Sequence, residues 1–306
     1  MCFCHTRGFK GVSMSIIIRS SGISEVNNTI GYIEHAVMAA SACLNNSTTG
    51  LDEIDLLVNV GNYRDNNLCE PSVAALIQHE LGINLNPLKH PVKSHTFSFD
   101  LMNGACGMLS ALQVVHAILH AKGLKRALIV SGDCHPSTKS SADFPIHHTG
   151  AALLLERSNV EGFSRFSFQT TSSFEGQSGY LDLDTHKLQS RYSVSLEDST
   201  DTEHQFSFAK KVIQSHIEQH NIEPSSTKLL VSHHDASLVN RLGSTLGMTL
   251  ASGMDSLLSI GNIHTAGLGF GLHKSIQELE QSDVLCVSIG SGVTVGCALY
   301  RQMVQS

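Results

Sequence analysis

Among the eight cysteines of this chain, Cys106 has the setting best suited to covalent chemistry. It lies in Asn103-Gly104-Ala105-Cys106-Gly107, after a strand-like run and at the start of a long uncharged stretch. A cysteine at a helix N-terminus meets free backbone N–H groups and the positive end of the helix dipole. Both favour the thiolate, the nucleophilic form. The flanking glycines let backbone and substrate approach closely. An inert buried thiol is the competing reading.

Two further residues fit the same chemistry. His233 closes the strand-like run KLLVSH, with His234 as its direct competitor. Asn262 lies in SIGNIHTAG and is read as the end of a further strand. Open α/β sheets gather ligands at the carboxyl ends of their strands. A Cys with a His and an Asn brought to such ends is a recurrent nucleophilic arrangement. With 18 histidines in the chain, a chance histidine is the alternative, and His233 taken alone reads as structural.

Other polar groups read more plainly. Glu70, just before Pro71 and a helix, suits a carboxylate near a helix N-terminus. Asp133, Cys134 and His135 follow a strand, but adjacent residues rarely share one metal site. Cys2, Cys4 and His5 form an incomplete ligand set, so no metal is expected. Arg64-Asp65 reads as a solvated pair. Gly267-Leu268-Gly269-Phe270-Gly271 lacks the spacing of a dinucleotide loop, whereas Gly290, Gly292 and Gly296 suit a tight hairpin.

These residues must be placed by a scaffold, and the pattern predicts which one. Strands are expected at 16–19, 55–60, 96–102, 126–132 and 150–156, with helices at 31–46, 71–82 and 106–121 between them. The second half repeats the programme: strands at 164–170, 228–233, 284–290 and 293–301, and helices at 202–220, 235–246 and 266–280. The run 255–262 is read as a strand feeding the last helix, and 171–202 as a polar loop or cap. DLLVNV matches KLLVSH, RALIVSG matches DVLCVSI, and GAALLLE matches GCALYR. The expected fold is α/β with a largely parallel sheet, built from two copies of one unit at 14–157 and 158–306. Residues 1–13 read as a disordered leader.

Composition sets the boundaries. The 306 residues carry 20 Lys and Arg against 27 Asp and Glu, a net charge of −7 with no basic stripe, so nucleic acid is not an expected partner. Stretches 101–121 and 256–273 hold no charged residue but carry Asn, Ser, His and several Gly. They read as core strands and helices apolar on most faces, not as membrane spans. The cysteine spacing makes no disulfide framework, which points to a reducing cytoplasm.

Four segments, in order, resemble β-ketoacyl-[acyl-carrier-protein] synthase III and its relatives among the thiolase-fold condensing enzymes. FDLMNGACGMLSALQV resembles the nucleophile segment, KLLVSHHDASLVNRLGSTLGM the histidine segment, IGNIHTAGLGFGLHKSI the asparagine segment, and IGSGVTVGCALYR the Gly-rich C-terminal hairpin. The resemblance covers about 50–306, with weaker agreement from 14 to 49. It implies a thiolase-like fold in α-β-α-β-α layers, an acyl-Cys106 intermediate, and His233 and Asn262 at a thioester carbonyl as decarboxylation forms an enolate. It also implies an oxyanion hole from backbone N–H groups of Cys106 and of Gly290, Ser291 and Gly292. The substrates would be coenzyme A or acyl-carrier-protein thioesters, one of malonyl type, handled by a homodimer without a metal or redox cofactor. The product would be a β-ketoacyl thioester in fatty-acid or specialised lipid or polyketide-like biosynthesis.

In some long-chain condensing relatives a Glu on the loop that Glu70 occupies is a base that removes an α-proton, so the resemblance implies such a role for Glu70 across the dimer. The family also carries a long insertion after its first strand, with a Trp that stacks on coenzyme A. This chain has no Trp and reaches its first helix soon after Ser20, which favours a carrier-protein donor. Two rival readings use the same residues: a thioesterase or simple acyl transferase, and a non-catalytic thiolase-fold subunit of a heterodimer.

Overall fold

A computed structural model describes residues 15–65, 68, 70–85, 88, 95–136, 144–159, 161–171, 177–181 and 194–301. The expected leader 1–13 lies outside them, as do Cys2, Cys4 and His5. The first half runs β1 (Ser15–Ser24), α1 (Tyr32–Asn45), β2 (Leu56–Asn59), α2 (Val73–Leu81), β3 (Phe97–Asp100), α3 (Gly107–Lys122), β4 (Arg126–Asp133) and β5 (Thr149–Ser158). The second runs β6 (Phe163–Thr170), β7 (Gln177–Leu181), β8 (Val194–Asp198), α4 (Thr202–His220), β9 (Thr227–Ser232), α5 (Ala236–Leu246), β10 (Thr249–Leu250), α6 (Met254–Ile260), α7 (Gly267–Lys274), β11 (Asp283–Gly290) and β12 (Thr294–Tyr300).

Ten strands form one sheet order, β10-β9-β11-β12-β6-β1-β5-β4-β2-β3. Outward from the middle, β1-β5-β4-β2-β3 and β6-β12-β11-β9-β10 are the same pattern. Each set has two parallel and two antiparallel pairings, so the sheet is mixed and not largely parallel. The two sets meet where Ile16 pairs with Phe163. This is a duplicated thiolase-like α/β unit.

The inner strands β2, β4, β9 and β11 are largely apolar because both of their faces are covered. Along β2 and β4, Leu56, Val58, Ala127 and Ile129 pack into the core that holds α3 and α7. Their neighbours Leu57, Leu128 and Val130 face a second core under α1 and α2. Period-two alternation therefore sorts one apolar run into two cores. Helices α3 and α7 touch strands of both sets and form the middle layer, with α1 and α2 outside one set and α4 and α5 outside the other.

Three elements differ from the sequence reading. Residues 254–260 are a helix, so Asn262 follows α6 and does not end a strand. The fifth strand of the second set is the two-residue β10 instead. The polar stretch after β6 contains the β7–β8 hairpin. Helix α3 is also less deeply buried than its composition suggests: Met108, Leu109, Ala111, Leu112, Val115 and Leu119 are buried, while Gln113, Ala117 and Ala121 are exposed. It is apolar and long enough to cross a membrane by composition alone, yet its buried face packs on β4 and β12.

Candidate active site

Parallel register brings the site together. Ser232 at the end of β9 pairs with Ser288 near the end of β11, so the next residues of both strands emerge side by side. One of those residues is His233 and another is Gly290. The nucleophile turn, Gly104–Cys106, follows β3 and caps α3. His233, His234, Asn262, His264, Ala105, Gly290 and Ser291 all line one cavity of about 610 Å³.

Cys106 is buried, 1% exposed, behind the cavity residues Ala105 and Gly290 and not itself among the lining residues. Its Sγ points at the carbonyl oxygens of Ser288 and Thr294, each 3.7 Å away. A side chain at Gly290 would put its Cβ 3.1 Å from that sulfur, so only glycine fits here without displacing the nucleophile. Burial pushes the Cys106 thiol up to about 12. Burial thus opposes the thiolate that the helix N-terminus favours. The Cys106 N–H is also engaged, donating to Asn103 O at 3.0 Å within the turn. Gly290 and Ser291 line the cavity and Gly292 completes the hairpin with φ +67°.

His233 and Asn262 are arranged alike. The Asp235 N–H donates to His233 Nδ1 at 3.1 Å, which fixes Nδ1 as an acceptor and leaves the ring proton on Nε2. The Asp235 carboxylate meanwhile caps α5 by accepting from Ser237 N and Leu238 N at 2.8 and 3.3 Å. Burial, followed by the neighbouring His234, lowers the His233 pKa to about 4, so the ring is neutral at physiological pH. Asn262 Oδ1 accepts the His264 N–H at 3.1 Å, and Asn262 O accepts the His147 N–H at 2.8 Å. The side-chain oxygen is spent locally and the NH₂ group remains as a donor. His234, the competitor, is exposed at the cavity mouth.

Other expected groups disperse. Glu70 is exposed on the loop before α2 and is not among the cavity residues. It does not cap α2, because Asp100 accepts from Val73 N and Ala74 N at 3.0 and 2.8 Å. Arg64-Asp65 is not a solvated pair. Arg64 is 6% exposed, with Nη2 3.3 Å from Asp100, while Asp65 accepts from Tyr32 N at 2.8 Å and from the Cys134 thiol. Asp133, Cys134 and His135 point to different partners: Thr265 and Tyr63, Asp65, and Phe144 respectively. Among the described residues, no three His, Cys, Asp or Glu side chains group as metal ligands. His264 was missed; its spacing from Asn262 hinted at it, but its partner Asp133 is distant in sequence.

No family model matches the chain. It is 24% identical over 300 residues to a β-ketoacyl-[acyl-carrier-protein] synthase III of Actinobacillus succinogenes, covering 93% of this chain and 90% of that one. It is 23% identical over 313 residues to the synthase III of Bartonella bacilliformis, with 96% and 92% covered. A structure of Xanthomonas campestris OleA with bound lauric acid and lauroyl-CoA superposes with a TM-score of 0.73 at 14% identity, covering 94% and 99%. The Aquifex aeolicus 3-oxoacyl-[acyl-carrier-protein] synthase III superposes at 0.67 and 15%, covering 94% and 100%. The chain is thus similar over nearly its full length to β-ketoacyl-[acyl-carrier-protein] synthase III sequences, and it shares the fold of OleA and of the Aquifex synthase III.

Proposed function

We propose that the chain is an acyltransferase that condenses an acyl thioester with a malonyl-type thioester through an acyl-Cys106 intermediate. The observation that carries this is a pair of neutral donors, His233 Nε2–H and the Asn262 amide, on the cavity beside a buried thiol. Cys106 takes the acyl group and the first thiol leaves. The second thioester then binds with its carbonyl oxygen between the two donors. As CO₂ departs, negative charge gathers on that oxygen, and donors fixed in advance stabilise it without reorganising. The enolate carbon attacks the acyl-Cys106 carbonyl and the β-ketoacyl thioester is released. The Gly290–Ser291–Gly292 turn supports the second oxyanion. The reaction as written uses no metal or redox cofactor.

The OleA relative holds lauric acid and lauroyl-CoA, which supports an acyl thioester of that class as first substrate. The short connection from Ser24 to Tyr32 lacks room for a coenzyme A clamp and favours a carrier-protein donor. The repeated strand order supports a division into halves at 158, and the five cysteines among the described residues, all outside disulfides, support a cytoplasmic setting.

A homodimer is part of this reading. β3 is the end strand of the sheet, and a free strand edge is a template for pairing. Phe97 on β3 is 62% exposed and Met102 just after it is 54% exposed. A second copy across this edge would cover both. Phe97→Asp is expected to turn a dimer into a monomer by light scattering; a wild-type monomer would contradict the assignment.

Glu70 is free of a capping role and is the candidate group across that dimer that assists decarboxylation, or, with a second acyl chain in place of the malonyl group, removes its α-proton. The test is condensation with an acyl thioester and a malonyl thioester, read by mass spectrometry of the product. Wild-type protein is expected to form the β-ketoacyl product. Glu70→Gln is expected to keep Cys106 acylation and lose condensation by about 10²-fold. Condensation at the wild-type rate would remove Glu70 from the mechanism. Acyl release as free acid alone would favour a thioesterase.

A further inference from the structure

His264 is one of the polar residues of the cavity to which the roles of Cys106, His233 and Asn262 give no part. Its backbone has φ +42°, a left-handed conformation that costs a non-glycine residue free energy. Specific contacts impose it. The His264 N–H donates to Asn262 Oδ1, and the next residue, Thr265, donates its N–H to Asp133 Oδ2 at 2.9 Å and its hydroxyl to the same oxygen.

The imidazole is thereby held between a carboxylate and the nucleophile turn. Nδ1 lies 3.5 Å from Asp133 Oδ2, an ion-pair approach without hydrogen-bond geometry, and is buried with no hydrogen-bond partner among the described residues. Asp133 is 0% exposed, and its other oxygen accepts from Asn62 N and Tyr63 N at 3.0 and 2.8 Å, so the carboxylate cannot swing away. The Tyr63 ring packs edge-on at 5.0 Å between centroids. On the far side of the ring, a Cβ at Gly104 would lie 3.9 Å from Nε2. Gly104 begins the turn that ends at Cys106, and its lack of a side chain leaves Nε2 open to that turn.

The chemistry needs a base here. Cys106 rests as a thiol, and its proton must go when sulfur attacks. His233 is poorly suited to accept it, because its Nδ1 is occupied and its Nε2 already carries the proton. We propose that His264, oriented by Asp133, is the base that takes the Cys106 thiol proton as the acyl group loads. This rests on the acyl-Cys106 reading above. The Cys106 S–H bond breaks as the proton passes to His264 Nε2, and sulfur bonds to the acyl carbon. The bond from that carbon to the donor sulfur then breaks, and the leaving thiolate takes the proton from Nε2. One thioester and one thiol go in and one of each comes out, with His264 neutral again. His264 thus serves loading, while His233 and Asn262 serve the enolate.

The test is the single-turnover rate of acyl loading, followed by intact-protein mass spectrometry in wild type, His264→Ala and His264→Gln. His264→Ala and His264→Gln are expected to load about 10²-fold or more slowly, with circular dichroism unchanged. Added imidazole is expected to restore much of the rate in His264→Ala, which a purely structural role would not allow. Loading within about threefold of wild type in His264→Ala overturns the proposal. So does slow loading that His264→Gln repairs and imidazole does not. A wild-type protein that takes up no acyl group overturns the acyl-Cys106 reading and this proposal together, whereas equal rates overturn this proposal alone.

Discussion

Replacing His233 by alanine should slow condensation about 10²–10³-fold while leaving acyl loading on Cys106 intact. The ring is held by the Asp235 N–H so that its one proton faces outward on Nε2. Its pKa, lowered to about 4 by burial, favours the neutral ring, so in the proposed condensation it would act by hydrogen bonding and not by charge. That donor matters most when the second thioester's carbonyl oxygen becomes negative, a step that follows loading. Asn262→Ala should behave alike, because its amide occupies the equivalent role. His233→Asn, which retains an N–H donor, should lose less than His233→Ala. The measurement is paired: loading by intact mass, and product formation after malonyl thioester is added. Loss of loading in His233→Ala, with the fold intact, would show that His233 serves the first step and would remove the division of labour argued here.

Asp133→Ala should cost about 4 kcal/mol or more of stability, or prevent soluble folding. The carboxylate is buried and accepts four hydrogen bonds, from Asn62 N, Tyr63 N, Thr265 N and the Thr265 hydroxyl. Two of these come from the loop after β2 and two from the turn before α7. Removing the side chain orphans donors from both halves at once, at about 1–3 kcal/mol each. Asp133→Asn keeps an acceptor oxygen and should lose less. Asp201 makes a useful comparison, since it caps α4 at the surface by accepting from Glu203 N and His204 N. Asp201→Ala should cost only about 1 kcal/mol. Urea unfolding of the three variants checks the ranking. An Asp133→Ala loss no larger than that of Asp201→Ala would mean that the four hydrogen bonds carry little of the fold.

The sequence carried what is local or periodic. The apolar runs of β2, β4, β9 and β11 were legible because both faces of those strands are buried, and the matching runs revealed the repeat. Helix α2 was legible from Gly82, which adopts the left-handed conformation just past its end. The segment 254–260 was misread because a short apolar run has no period long enough to separate strand from helix. Long-range partners were out of reach. Nothing near Arg64 in sequence announces Asp100, and nothing near Asp133 announces Thr265 or His264, so a buried network was read as solvated charge and as three adjacent polar residues. Cys106 was found by its neighbours in the chain, but its protonation was not. The helix N-terminus is visible in sequence, whereas the β11 and β12 carbonyls that enclose the sulfur come from the far end of the chain.

The most direct measurement of the central claim is the intact mass of the protein after incubation with acyl-CoA and acyl-carrier-protein donors, with Cys106→Ala alongside. Wild type should gain the mass of one acyl group from at least one donor, and Cys106→Ala should gain none. The same adduct on Cys106→Ala, or no adduct on wild type with any donor, would contradict Cys106 as the loaded nucleophile.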